Sequence, residues 1–220
     1  AALIFAAAAL FISRNPSAGM GEMSGTGTSG QAVSGQNMAV QADVQQQAPV
    51  STVMIAGEEY PVNLEKLDLS GKDLTDDDLA NLGQMMGLKS LNLEGNPEIS
   101  DLTPLSGLTS LEHLELPSPS QVSDLTPLAG MTVLEDLKLP SPSQISDLSP
   151  LSGLTGLTSL SIAEDFGTQQ PVSRIQDCSP LGGLTGLKEL SLSVSNLSDF
   201  SFLEGMKELE TLRLMGSAVV

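Results

Sequence analysis

The sequence contains one histidine, His113, and one cysteine, Cys178, and this limits the chemistry it can support. A disulfide needs two cysteines. A zinc site draws its ligands mainly from His and Cys, and neither has a second copy to complete one. A Ser-His-Asp hydrolase needs a converging nucleophile, base and oxyanion donors. No G-x-S-x-G elbow occurs, and His113 lies beside Glu115 on a stretch that reads as a regular strand. We therefore read the chain as non-enzymatic, with no cofactor, metal or catalytic residue.

Carboxylates are abundant, and two sets are ordered along the chain. Asp73, Asp76, Asp77 and Asp78 surround Thr75 but lack the order and closing Glu of a calcium loop. Acids in the first turn of a helix stabilise its positive end, so this run predicts a helix from Thr75 to about Met86. Asp101, Asp124, Asp147, Asp177 and Asp199 recur at one position of a repeated segment. Each stands just before a turn whose free N–H groups a carboxylate can accept, which assigns them to capping. Cys178 takes the place held elsewhere by Leu102, Leu125 and Leu148, a core position where a thiol acts as a small hydrophobe.

The recurrence identifies the element that positions everything else. L-x-x-L-x-[LI] occurs seven times, starting at Leu64, Leu88, Leu111, Leu134, Leu157, Leu187 and Leu209, at intervals of 24, 23, 23, 23, 30 and 22 residues. Between copies, Thr103-Pro104, Thr126-Pro127, Ser149-Pro150 and Ser179-Pro180 place a hydroxyl at a helix N-cap and Pro in the first turn. Each unit is thus a short strand, a loop and a helical turn running back. Such a unit cannot bury its apolar side alone, so copies stack around one aliphatic core. The result is an α/β solenoid: an arc with a parallel concave sheet and short helical turns on the convex side.

These units, typified by Ile99-Ser-Asp-Leu-Thr-Pro-Leu-Ser-Gly-Leu-Thr-Ser-Leu111, resemble the short leucine-rich repeats of bacterial internalin-type surface proteins. The resemblance covers about Leu64 to Leu214 and implies a binding or adhesion role. It also implies an Asn three residues after the last strand leucine, bonding backbone along the stack. Only Asn96 fits; Pro119 and Pro142 replace it in later units, so those loops must satisfy their backbone groups differently.

The flanks differ in composition. Residues 1–12 are all apolar, short for a membrane span of ~20 residues, and suit either a clipped transmembrane helix or a signal-peptide core. Residues 13–50 are rich in Gly, Ser and Gln, with Arg14, Glu22 and Asp43 the only charges, and read as a flexible linker. Residues 51–87 form the N-terminal cap and first repeat, with strands expected at 51–56 and 59–62. Residues 88–220 carry the remaining repeats, the last incomplete, and both ends of the chain read as cut. The expectation is a bacterial, membrane-anchored protein with an extracellular repeat domain, or a secreted one if residues 1–12 are a signal.

The formal charge is -18, from 27 acids and 9 bases, which disfavours nucleic acid. Much of it belongs to the turn and cap aspartates, so it does not by itself argue for a basic ligand.

Strand alternation sends three columns outward: Lys66, Ser90, His113, Asp136, Ser159, Glu189 and Thr211; Asp68, Asn92, Glu115, Lys138, Ser161, Ser191 and Arg213; and Ser70, Glu94, Pro117, Pro140, Ala163, Ser193 and Met215. Solenoids bind partners on this face. The 30-residue interval inserts extra chain around Ala163 to Arg174, carrying Phe166. The candidate binding residues are His113, Glu115, Asp136, Lys138, Phe166, Arg174 and Arg213, for a protein or glycan ligand, with membrane contact through residues 1–12. Two other roles remain open: a spacer for another domain, or an intracellular repeat docking a partner.

Overall fold

The structure, a computed structural model, describes residues 51–118, 120–140, 144–162, 174–194 and 197–215. The apolar run 1–12, the linker 13–50 and Phe166 lie outside the described residues. Among the described residues, no helix is long and apolar enough to cross a membrane.

Seven strands form one all-parallel sheet in chain order: β3 (Lys66–Asp68), β4 (Ser90–Asn92), β5 (His113–Glu115), β6 (Asp136–Lys138), β7 (Ser159–Ile162), β8 (Glu189–Ser193) and β9 (Thr211–Met215). Preceding them, β1 (Thr52–Ile55) and β2 (Glu58–Pro61) form an antiparallel hairpin. Its turn places Ala56 and Gly57 at φ of 49° and 76°, the left-handed pair that matches the twist of a two-residue hairpin.

The repeated leucines are the core. Leu67, Leu91, Leu114, Leu137, Leu160 and Leu190 are at most 3% exposed, and Leu69, Leu93, Leu116, Leu139, Ile162 and Leu192 at most 2%. Cys178 joins them as expected, and burial pushes its thiol up to about 11, so it is inert as a nucleophile. In β9 the equivalent Leu212 and Leu214 are 41% and 40% exposed. Units approach closely enough that a Cβ on Gly156 would stand 2.6 Å from the Thr132 carbonyl oxygen.

Opposite the sheet, each unit turns back through a 3₁₀ segment such as Thr103–Leu105, Thr126–Leu128 or Ser149–Gly153. The aspartates cap these turns, as their spacing predicts. Oδ1 of Asp101, Asp124, Asp147, Asp177 and Asp199 accepts the backbone N–H two residues on, at 2.8 Å in every case. The Thr and Ser hydroxyls do not occupy the N-cap position. That place falls to Leu102, Leu125, Leu148 and Cys178, which make no side-chain cap bond: leucine has no acceptor, and all four side chains are buried in the core.

The helix expected to reach Met86 is split. α1 covers Asp76–Leu79, and a separate 3₁₀ turn covers Leu82–Gln84. Contacts with neighbours divide it: Asn81 Nδ2 donates to the Met54 carbonyl at 2.8 Å, and a Cβ on Gly83 would lie 3.3 Å from the Pro104 oxygen. Its acids also divide their work. Asp78 accepts the Thr75 N–H and hydroxyl, both at 2.8 Å. Asp76 reaches the next unit instead, accepting the N–H groups of Ser100 and Asp101 at 2.8 and 2.9 Å.

Asn96, fully buried, works as the resemblance implies. Its Oδ1 accepts the N–H of Lys72 at 3.1 Å and of Leu74 at 3.0 Å, and its Nδ2 donates to the carbonyls of Leu69 at 3.0 Å and Leu93 at 2.7 Å. In the following unit Ser120 takes over part of this work, its Oγ accepting the Val122 N–H at 3.0 Å. The hairpin is tied to the first unit by Lys72 Nζ, which donates to Glu58 Oε2 at 2.6 Å; within β2, Tyr60 OH donates to the same oxygen at 2.5 Å.

Two outcomes follow. Asn96→Ala leaves several buried backbone groups unpaired and is expected to lower unfolding free energy by about 3 kcal/mol, read from chemical denaturation. The second concerns acid. Thr126 and Ser149, through hydroxyl and N–H, hold Asp124 and Asp147 below the ordinary aspartate range, and the N–H and hydroxyl of Ser201 do so for Asp199. Depressed values in the fold mean that this stabilisation is whole above the unfolded value of about 3.9 and is lost as pH falls below it. The melting temperature should fall steeply below about pH 4. Replacing all three with Asn should flatten that slope in circular-dichroism melts.

Candidate functional site

In-register parallel pairing turns residues 22 to 30 positions apart into neighbours. Ser90, His113, Asp136 and Ser159 stand side by side on β4 to β7, and so do Asn92, Glu115, Lys138 and Ser161. These are the first two outward columns expected from alternation. The third column departs: Pro117 and Pro140 are buried because the chain has left the strand there, and Ser193 is buried within β8 itself. Ser193 Oγ finds no hydrogen-bond partner among the described residues.

Four candidate residues converge on β5 and β6. His113 Nδ1 and Asp136 Oδ2 are 2.6 Å apart, with both side chains about half exposed. Lys138 Nζ contacts Glu115 Oε1 and lies 3.6 Å from Oε2 of Glu94. Glu94 belonged to the third column and carried no candidate role in sequence, yet it completes this cluster. Its position two residues beyond Asn92 on the same side was the available signal. Asn92 holds the intervening turn, its Oδ1 accepting the Glu94 N–H at 2.9 Å.

Electrostatics follow from this geometry. The Glu94 carboxyl is pushed above the ordinary range, first by its hydrogen bond with Glu115, then by burial and by the Glu115 charge, with Lys138 opposing. The Lys138 ammonium is raised, chiefly by its bond to Glu115. Along the strand starts, Lys89 bridges Glu65 and Glu112 at 3.9 Å each, a looser pairing that solvent screens.

A depression of about 250 Å³ opens over these strands, with Leu91, Leu114 and Leu137 beneath it and Ser90, Asn92, His113, Glu115, Asp136, Lys138, Ser159 and Ser161 around it. Arg213 is exposed on the same face, three strands from Lys138, about 14 Å away at the usual strand spacing. Arg174 is exposed before the turn at Ser179–Gly183 and is not on the sheet. The site therefore gathers His113, Glu115, Asp136 and Lys138, adds Glu94, and excludes both arginines. Among the described residues no three His, Cys, Asp or Glu side chains form a metal-holding group.

Similar folds carry comparable sheets. The leucine-rich repeat family, described as Leucine Rich repeats (2 copies), matches residues 62–107. The crystal structure of internalin C2 from Listeria monocytogenes is 31% identical, with a TM-score of 0.55, over 71% of this chain and 73% of that one. Internalin inlF from the same species is 25% identical, with a TM-score of 0.50, over 74% of this chain and 53% of the other. The present chain thus spans about half of inlF. The leucine-rich repeat ectodomain of the Arabidopsis thaliana receptor kinase GASSHO1/SCHENGEN3 is 22% identical, with a TM-score of 0.50, over 69% of this chain and 18% of that one, a likeness of fold alone. No curated protein sequence matches the chain. With the same repeat, the same parallel sheet and this level of identity to internalin C2, the chain belongs to the bacterial internalin-like leucine-rich repeat proteins.

Proposed function

We propose that this chain is a non-enzymatic binding or adhesion module of a bacterial surface protein, held outside the cell by its apolar N-terminal run and engaging a partner protein through the concave sheet. Leucine-rich repeat domains in general act as protein-interaction modules, and their concave sheets supply the extended surface. The observation that carries the reading is local. On this sheet the charged side chains His113, Asp136, Glu115 and Lys138 line one depression, with Glu94 beside it, 3.6 Å from Lys138. The twelve apolar residues followed by a Gly/Ser/Gln-rich segment support outward presentation on a tether.

The face carries a single arginine and no aromatic in its outward columns, and these types dominate interface hot spots. We therefore expect moderate affinity with marked salt dependence. The test is a binding screen of the full chain against cell-surface proteins and glycans, repeated with a His113→Ala/Lys138→Glu variant. A genuine partner should bind at least tenfold more weakly to the variant while its melting temperature changes by only a few degrees. Equal binding to both overturns the assignment of this face, and a glycan meeting the same criterion overturns the choice of a protein ligand. Protease treatment of intact cells checks sidedness: the repeat domain should be cleaved or shed without lysis.

A further inference from the structure

We draw no further inference here: the strongest candidate, the open edge of the sheet at β9, where Leu212 and Leu214 are 41% and 40% exposed, carries nothing because no feature of the structure shows what covers it.

Discussion

Everything in this molecule depends on aliphatic burial between consecutive units. A three-residue strand with one inward leucine and another just past its end is not a stable object: it buries too little to offset the entropy of ordering its loop and turn. Fully burying a leucine contributes about 1.5–3 kcal/mol, but only if the next unit covers it. That condition forces exact registry, since a one-residue slip would turn every leucine outward. The rows on the sheet face follow directly. His113 meets Asp136, and Glu115 meets Lys138, because Leu114 must lie beside Leu137. The charged cluster is a product of core registry, with no local motif to announce it.

The same stacking decides where polar groups go. Each unit must return across the arc through backbone that has no ladder partner, and two devices satisfy it. On the turn side the recurring Asp accepts an N–H at 2.8 Å, unit after unit. On the loop side Asn96 alone serves five backbone groups from two units, while Ser120 serves fewer in the next. Much of the negative charge is explained by the first device and by α1, where Asp76 and Asp78 bond different units. Acidity of this origin is a property of the fold. Glu115 and Asp136 are the acids that line the depression.

Features set by the repeat period were legible in sequence, and features set by local geometry were not. The solenoid, the buried Cys178, the turn role of the aspartates and the first two outward columns all follow from spacing. The split of the 76–86 helix does not, because an apolar pattern with acids at its start reads the same for one helix as for a short helix followed by a 3₁₀ turn. Burial of Pro117 and Pro140 was missed because alternation was carried past the point where the strand becomes a loop, and Ser193 breaks alternation at the end of β8, where Leu192, Ser193 and Val194 are all buried. Lys138 pairs with a lateral neighbour, Glu115, and with Glu94, a diagonal contact that reaches two strands across and two residues further along. Periodicity gives the lateral contact, but the diagonal one depends on side-chain length and rotamer.

A face built this way has limited means of binding tightly. Exposed ion pairs contribute about 0–1 kcal/mol each, and those on β5 and β6 are already made internally, so a partner gains little by exchanging one for another. Serines on β7 and β8 offer hydrogen bonds whose net worth is of the same order. Useful energy has to come from a group that the free protein leaves poorly satisfied. Ser193, buried with an unpartnered hydroxyl, is sealed from any ligand. Glu94 is partly exposed, and its nearest cation, Lys138, is shared with Glu115. Neither group supplies that, so a partner on this face must draw on contact area and on several weak polar contacts together.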